Sequence, residues 1–316
     1  MESDKGNLKI GLALGSGAAR GWSHIGIIKG LAQLDIEPEI VCGSSIGALV
    51  GAAYAADKID LLESWTRSLT WKEIIRFLDP SLSGGGFIQG EKLTEFVAEH
   101  VEAVDFEQLT RQLGIVATEL ESGREVWFRK GPVVDAVRAS ISLPGLFTPI
   151  SLDGHWLVDG GLANPVPVSL CRAMGADIVI AVNLNGDILG KHLKRNTETR
   201  KLPQQSKKAT GEGDLLSRVT AQLKSSLESS KRDLLGKLFG VERKAPGLYD
   251  VLASSINIMQ DRITRSRMAG DPPDVILSPR MSKLGLMEFD KAELGIAEGL
   301  REVERMRPVL EQLFNR

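Results

Sequence analysis

The clearest chemistry in the sequence centres on a serine near flanking glycines, in Gly43-Ser44-Ser45-Ile46-Gly47. A strand-like run over residues 38–42 leads into it, and an apolar, helix-like run over residues 46–56 follows. In a Gly-x-Ser-x-Gly nucleophile elbow, the serine occupies such a strand–turn–helix junction and exposes its hydroxyl at the sheet edge. The dipole of the following helix favours negative charge there. The pattern predicts Ser45 as a nucleophile, although the bare motif is weak in a chain with 33 glycines.

A second glycine-rich segment, Gly15-Ser16-Gly17-Ala18-Ala19-Arg20-Gly21, lies between a predicted strand and a predicted helix. Backbone amides at such a turn converge on an anion, because the first N–H groups of a helix have no internal acceptor. A dinucleotide fingerprint would need a third glycine where this chain has Arg20, and no Walker-type Gly-Lys-Ser/Thr follows. Two interpretations stay open. The Gly17 and Ala18 amides face Ser45 as an oxyanion hole, or the turn only packs the helix on the sheet.

The third motif is Asp159-Gly160-Gly161, which follows the short apolar run Trp156-Leu157-Val158. An aspartate at a strand end, followed by two glycines, leaves room for an approaching group. It could accept the Ser45 proton directly, provided that the site is close-fitting and desolvated, since a free aspartate has a pKa of about 3.9. The alternative is an Asx-turn, which Asp-Gly sequences favour.

A Ser-His-Asp triad is the competing arrangement, and the chain has four histidines, at positions 24, 100, 155 and 192. His24 falls in the first predicted helix, and His155 lies four residues before Asp159. In α/β-hydrolases the triad histidine follows the acid in the chain. Only His192 does so here, in a polar, basic segment. The histidines are therefore expected to be packing or surface residues.

The elements that would position these residues are short apolar strands alternating with helices, which is typical of a parallel sheet covered on both faces. The predicted strands cover residues 9–14, 39–42, 114–120, 125–128, 177–183 and 273–279. Predicted helices begin near Ala18, fill most of 46–78 and occupy about 290–314. The two middle strands bracket Glu121-Ser122-Gly123-Arg124 and are expected to form a hairpin.

Composition places the chain among globular proteins, with 316 residues, 42% hydrophobic and 25% charged. No stretch approaches the ~20 apolar residues of a spanning helix, and the first seven residues are polar, unlike a secretory signal. Cys42 and Cys171 lie in apolar runs and are expected to be reduced. Together these features predict a cytoplasmic protein.

Charge is unevenly distributed along the chain. Residues 191–244 hold 14 Lys/Arg and 6 Asp/Glu, a balance of +8, so the remaining residues carry 25 basic and 35 acidic side chains, a balance of −10. Within a basic insert at about 187–247, residues 187–213 are expected to be disordered, and 214–239 have helical apolar spacing. The insert predicts peripheral contact with an anionic lipid surface. Two alternatives stay open: the helical part docks on the core or on a partner helix, or the insert is only a solvated linker. No nucleic-acid partner is expected.

Taken together, the motifs resemble the patatin-like phospholipase family, and in particular its bacterial RssA-type branch and the catalytic domain of neuropathy target esterase. Four blocks carry the resemblance: residues 15–21, residues 43–47, the run Ser140–Pro149, and residues 159–161. The resemblance implies a three-layer α/β/α sandwich with a mainly parallel central sheet. It also implies a single acyl hydrolase domain over residues 7–316.

For the site, the resemblance implies a Ser45–Asp159 dyad without histidine, and neither metal nor organic cofactor. It places the oxyanion hole in the turn of Gly15, Ser16, Gly17 and Ala18. Supporting positions follow from the same motifs: Arg20, Gly21, Gly43, Gly47, Gly160 and Gly161. Ser16 and Ala18 stand where many members have glycine, but the backbone amides are the same.

The implied activity is hydrolysis of fatty-acyl esters in phospholipids or lysophospholipids. Two alternatives stay open. One is a membrane-recruited regulatory protein with a vestigial hydrolase site, which the basic insert suggests. The other is transfer of the acyl group to an acceptor other than water.

Overall fold

The computed structural model describes residues 8–70, 105–186 and 248–314. The chain divides into two compact units, residues 1–192 with 254–316, and residues 193–253. The strands and helices described below belong to the first unit, except that the helix Leu248–Gly270 begins in the second. The predicted insert at 187–247 lies outside the described residues, so its structure and the single-domain organisation stay predictions.

Eight strands of the described chain form one mixed sheet, in the order β5-β6-β3-β2-β1-β7-β8, with β4 also paired to β3. Their bounds are β1 Ile10–Leu14, β2 Ile40–Ser44, β3 Gln112–Glu119, β4 Glu125–Phe128, β5 Ile150–Leu152, β6 His155–Asp159, β7 Ile178–Val182 and β8 Val275–Leu277. The β3–β2–β1–β7–β8 part is parallel, and β4, β5 and β6 add antiparallel pairs.

Helices cover both faces of this sheet. The α-helices of the described ranges are α1 Ser23–Ala32, α2 Ile46–Ala55, α3 Ile59–Ser68, α4 Val133–Ser140, α5 Val168–Ala173, α6 Leu248–Gly270 and α7 Ala292–Leu313. Short 3-10 turns occupy Ala18–Trp22, Phe106–Gln108, Gly160–Leu162 and Phe289–Lys291. None of the helices within these ranges is long and apolar enough to cross a bilayer.

Side chains alternate between two cores along the central strands. Leu12 and Leu14 of β1 join a core with α1, α2 and α7, whereas Ala13 joins a second core with α5. Because both faces are covered, the strands are apolar throughout rather than alternating, as parallel strands should be. The predicted α/β/α fold is confirmed.

Two predicted boundaries next to Ser45 and the glycine-rich turn differ from the structure. The strand before Ser45 was expected to end at Cys42, but it continues through Gly43 and Ser44, which pair with β3. The helix expected from Ala18 begins as a 3-10 turn and becomes α-helical only at Ser23. Both differences arise at turns, where local propensity is weak and tertiary pairing decides the boundary. The predicted hairpin of β3 and β4 is confirmed.

Strand β3 brings two distant parts of the chain together. Ser44, at the end of β2, pairs with Val116, while Asp159, at the end of β6, pairs with the next residue, Ala117. Because β4 pairs with both Val116 and Ala117 on the other edge of β3, β2 and β6 must lie end to end along the same edge. The residue that follows β2 therefore meets the last residue of β6.

Candidate active site

Ser45 occupies the junction of β2 and α2 in a strained conformation, with φ 57° and ψ −124°. It is the only residue from Ile40 to Ala55 that is not buried. A β-carbon at Gly43 would overlap the Gly47 carbonyl oxygen, and one at Gly47 would overlap the Leu14 carbonyl oxygen. Both flanking glycines are therefore required by close backbone approach. Such strain persists only where the surrounding structure enforces it, and here it projects a side chain from a fully packed junction.

Ser140, at the end of α4, holds this junction from outside the elbow motif. Its Oγ accepts a hydrogen bond from the Ser45 backbone N–H at 2.8 Å, and its side chain is fully buried. Sequence reasoning assigned Ser140 no role beyond its place in the Ser140–Pro149 block. The contact shows that α4 helps to fix the strained backbone of Ser45.

Asp159 is 1% exposed and uses its two carboxylate oxygens differently. Oδ2 accepts a hydrogen bond from Ser45 Oγ at 2.6 Å, and Oδ1 accepts one from the Gly161 N–H at 2.7 Å. The Asx-type turn and the contact with serine, which the sequence left as alternatives, therefore coexist. The local turn orients the carboxylate so that its second oxygen faces Ser45.

The backbone of Asp159 is held on both sides. Its N–H donates to the Ser142 carbonyl oxygen at 2.9 Å, and its carbonyl oxygen accepts from Thr118 Oγ1 at 2.9 Å. Ser142 is itself fixed by Arg138, whose Nη1 donates to Ser142 Oγ at 2.6 Å. These contacts leave the carboxylate little freedom to leave Ser45.

Burial raises the pKa of Asp159 to about 6, while the hydrogen bonds from Ser45 and Gly161 act in the opposite direction. Desolvation disfavours the charged carboxylate, and the two donors favour it. A carboxyl group with a pKa near the working pH is better suited to exchange a proton with a hydroxyl than a solvated aspartate.

The glycine-rich turn offers fewer amides than its sequence suggested. Gly15 N–H donates to the Val182 carbonyl oxygen at 3.2 Å, and Ser16 N–H donates to the Pro165 carbonyl oxygen at 2.8 Å. Over the described residues, the Gly17 and Ala18 amides have no acceptor. Of the four residues in the predicted oxyanion hole, Gly17 and Ala18 are therefore the two whose N–H groups are not already bonded within the described residues, and the hole itself stays a prediction.

Ala18 has a left-handed backbone, with φ 49°, and is partly exposed between buried neighbours. For a residue with a β-carbon this conformation is strained. The next amide, Ala19 N–H, donates to the Leu286 carbonyl oxygen at 3.0 Å, so the segment before α7 supports the turn from behind. The strained residue Ala18 therefore begins the 3-10 turn, and the backbone on either side of it is held by hydrogen bonds.

The turn and the elbow are in direct contact. Ser16 Oγ lies 3.2 Å from Ser44 Oγ, and a β-carbon at Gly21 would overlap the Ile46 side chain. A β-carbon at Gly47 would come within 3.0 Å of the Gly15 carbonyl oxygen. The predicted nucleophile, acid and oxyanion turn therefore belong to one packed site at the carboxyl ends of β1 and β2.

Comparisons with known proteins agree with this arrangement. A family model described as patatin-like phospholipase matches residues 12–172, which include the turn, the elbow and Asp159. An NTE family protein of Mycobacterium tuberculosis (strain ATCC 25618 / H37Rv) is 34% identical over 323 residues, covering 92% of this chain and 89% of that protein. The chain belongs to the patatin-like phospholipase family. As a member, it is a hydrolase of lipid esters, and the resemblance drawn from its motifs is confirmed.

Two further matches are more limited. Lysophospholipase nte1 of Emericella nidulans is 31% identical over 183 residues, which cover 55% of this chain but 12% of that protein. Among solved structures, VipD from Legionella pneumophila matches with a TM-score of 0.44 and 12% identity, covering 95% of this chain and 66% of that chain.

The histidines of this patatin-like phospholipase that the structure describes lie apart from Ser45. His24 is fully buried, and its Nε2 lies 2.8 Å from the Gly15 carbonyl oxygen. Burial lowers the pKa of His24 to about 4, so it is neutral and supports the turn through that contact. His155 is exposed and pairs with Glu119 at 2.6 Å. Within the described residues, no hydrogen bond joins a histidine to Ser45. His100 and His192 lie outside them.

Arg20 is fully buried beneath the turn of the patatin-like site, and burial lowers its pKa to about 9. Its guanidinium donates to the Asn257 and Asn185 side-chain oxygens, at 2.9 and 3.4 Å. Among the described residues no carboxylate pairs with it, and its Nε has no partner. A buried positive charge without a counterion is costly, and this one lies in the 3-10 turn that directly follows Gly17.

Proposed function

We propose that the protein hydrolyses fatty-acyl esters of phospholipids or lysophospholipids, with Ser45 as nucleophile and Asp159 as its general base. The observation that carries this proposal is the 2.6 Å hydrogen bond from Ser45 Oγ to a buried carboxylate whose pKa is about 6. A serine and a base within hydrogen-bond reach, with the base oriented by a third group, are the usual parts of an activated nucleophile. Here the Gly161 N–H provides that orientation.

In the first step, Ser45 Oγ attacks the ester carbonyl carbon and its proton passes to Asp159 Oδ2. The carbonyl oxygen becomes an oxyanion, which the Gly17 and Ala18 N–H groups receive. Loss of a single preorganised donor of this kind typically lowers turnover by about 10²–10³-fold. The tetrahedral intermediate then breaks its bond to the alcohol, which leaves with the proton from Asp159.

In the second step, water attacks the acyl-serine and gives its proton to Asp159. Collapse of the second tetrahedral intermediate breaks the bond to Ser45 Oγ, which recovers the proton, and the fatty acid is released. Since Asp159 is restored in its ionised form, one carboxylate serves both halves of the cycle.

The choice of phospholipids or lysophospholipids as substrate follows the family and the name of a relative, the lysophospholipase nte1. The basic insert, with its local balance of +8 over residues 191–244, would suit a negatively charged lipid surface. Peripheral membrane contact through the insert, a cytoplasmic location and the RssA-type branch stay predictions.

The decisive experiment is labelling of the purified protein with a fluorophosphonate, followed by peptide mapping. We expect stoichiometric labelling at Ser45, because the probe forms a covalent bond with an activated serine oxygen, and we expect none in Ser45→Ala.

The matched control is Ser44→Ala, which removes the neighbouring buried hydroxyl of the same motif but not the proposed nucleophile. Two results would contradict the proposal. One is labelling that maps to another serine. The other is a wild-type protein that is folded by circular dichroism but stays unlabelled even when phospholipid vesicles are present.

The pH dependence of hydrolysis is expected to follow Asp159. Only the ionised carboxylate can accept the Ser45 proton, and its pKa is about 6. We therefore expect kcat/KM to rise about tenfold per pH unit below pH 6 and to level off above pH 7. Initial rates on a soluble acyl ester between pH 4.5 and 8.5 test this. A flat profile over that range, in protein that stays folded, would exclude Asp159 as the base.

A further inference from the structure

Helix α6 buries a polar face. Its residues at helical spacing i, i+3, i+4 and i+7 are each at most 6% exposed: Asn257, Gln260, Asp261 and Thr264. On the same helix Ile258 and Met259 are each 49% exposed. This inverts the usual arrangement of a surface helix, and buried polar groups are costly unless they find partners. The buried face of α6 must therefore be explained by what it contacts.

Two of these side chains contact the site through Arg20 and Asn185. Arg20 Nη2 donates to Asn257 Oδ1 at 2.9 Å, and Arg20 Nη1 donates to Asn185 Oδ1 at 3.4 Å. Asn185 Nδ2 then donates to Gln260 Oε1 at 3.1 Å. All four side chains are at most 6% exposed.

The guanidinium determines the orientation of each amide in this network. Because arginine has donors and no acceptor, Asn185 must present its oxygen to Arg20 and its nitrogen to Gln260. Gln260 must in turn present Oε1 to Asn185, so its Nε2 points the other way. The direction of that last N–H group is thus set by a charge two side chains away.

The Gln260 Nε2 group points at the Asp-Gly-Gly segment. A β-carbon on Gly161 would lie 2.5 Å from Gln260 Nε2 and 3.0 Å from Asp159 Oδ1, and would overlap Ser16 Oγ. A donor from α6, the carboxylate and the glycine-rich turn therefore converge above the Gly161 α-carbon. Gly161 is glycine because these polar atoms fill the place of a side chain.

We propose that Asn257 and Gln260 are positioning residues of the hydrolase. They fix the position of the glycine-rich turn relative to the Asp159 carboxylate. Asn257 anchors Arg20, which lies in the 3-10 turn directly after Gly17 and Ala18. Gln260 places its Nε2 group next to the Gly161 α-carbon, where Ser16 Oγ and Asp159 Oδ1 also lie. This inference rests on the proposed function. It assigns part of the site to residues beyond 172, the end of the family-model match.

The test compares two substitutions of Gln260. Gln260→Met keeps the shape but removes both polar atoms, and Gln260→Glu keeps the acceptor for Asn185 but removes the donor toward Gly161. We expect kcat on a lysophospholipid to fall about 10–100-fold in both, a loss of the size seen when the hydrogen-bond partner of a metal ligand is removed. KM should change less than about threefold, because neither atom is proposed to touch the substrate.

Arg262→Met is the matched control, since Arg262 is exposed on the same helix, and wild-type kcat is expected there. Wild-type kcat in Gln260→Met would overturn the inference, and wild-type kcat in Gln260→Glu would show that the donor is not needed and overturn it equally. Gln260→Asn keeps the amide but shortens the side chain by one methylene, which withdraws the donor without adding a charge. It serves as the test variant if the others do not fold. We expect the same fall in kcat of about 10–100-fold, and wild-type kcat in Gln260→Asn would refute the inference.

Fluorophosphonate labelling separates failure of this inference from failure of the proposed function. An unlabelled wild-type protein would reject the Ser45–Asp159 mechanism itself. A labelled wild-type protein with equally fast labelling of Gln260→Met would reject only the positioning role of α6.

Discussion

Asp159→Asn is expected to abolish ester hydrolysis and, at the same time, to stabilise the fold at neutral pH. The amide can keep both local contacts, with its oxygen accepting from the Gly161 N–H and its nitrogen donating to Ser45 Oγ. It cannot accept the serine proton. We expect kcat to fall by about 10⁴-fold or more, as when the acid or base of a serine hydrolase is removed.

The stability gain follows from the sign of the pKa shift. Burial raises the pKa of Asp159 from 3.8 to about 6, so the folded state binds the proton more tightly than the unfolded state. The stability from this group is fully present below about pH 4 and is lost as pH rises through about 6. At pH 8 the buried charge costs up to about 3 kcal/mol, at ~1.4 kcal/mol per pKa unit. An asparagine, which does not ionise, avoids that cost.

Urea unfolding at pH 8 and at pH 4.5 checks this expectation together with activity. Asp159→Asn should gain about 1–3 kcal/mol over wild type at pH 8, and the gain should shrink toward pH 4.5. Asp153→Asn is the control, since Asp153 is exposed in the turn between β5 and β6 and should change neither stability nor kcat. Destabilisation of Asp159→Asn at pH 8 would mean that the carboxylate contributes to the fold rather than opposing it.

The sequence predicts the local parts of this site better than their assembly. The elbow at Ser45 is a contiguous pattern of strand, glycines and apolar helix, so its geometry is encoded within about twenty residues. Asp159 lies 114 residues further along the chain. Its approach to Ser45 depends on β6 pairing with the end of β3 just beyond the last residue of β2. No spacing in the sequence contains that register. The residues offered a Ser45–Asp159 contact only as an alternative to an Asx-turn, and the dyad itself was implied by the family resemblance.

Two polar residues that contact the site from α-helices, Ser140 and Gln260, were assigned no such role from the sequence. Ser140 and Gln260 are polar residues in helical segments, where hydrophobic periodicity normally assigns such residues to the surface. Their burial follows from what faces them, a strained backbone N–H in one case and the Arg20 network in the other. The amides of Gly15 and Ser16 show a further limit of motif reading, because a motif cannot reveal that two of its donors are already bonded to β7 and Pro165.

Gly26→Ala and Gly299→Ala are expected to cause the largest losses of stability. Helices α1 and α7 cross at these glycines with their backbones in contact. A β-carbon at Gly26 would overlap the Ile296 carbonyl oxygen and come within 2.9 Å of Leu300 N. One at Gly299 would overlap the Ser23 carbonyl oxygen. Because the obstructing atoms are backbone, no side-chain rotation can relieve them.

Either alanine must therefore push α7 away from α1. Overpacking of this kind costs about 1–3 kcal/mol or more, against a gain of about 1 kcal/mol from the better helix propensity of alanine. Because the overlap is with backbone atoms, we expect the upper end of that cost, about 3 kcal/mol, and therefore a net loss of about 2 kcal/mol in each variant, measured by urea unfolding. Gly270→Ala is the control, because nothing lies within 4 Å of its β-carbon position and it should be neutral.

The same displacement should reach the site, because α1 follows directly from the 3-10 turn that holds Arg20. Ser23 Oγ donates to the Arg20 carbonyl oxygen at 2.8 Å, and Gly299 packs on the Ser23 carbonyl oxygen. Under conditions where Gly299→Ala remains folded, fluorophosphonate labelling of Ser45 should be slower than in Gly270→Ala. Equal labelling rates would show that the α1–α7 crossing stabilises the fold without setting the position of the oxyanion turn.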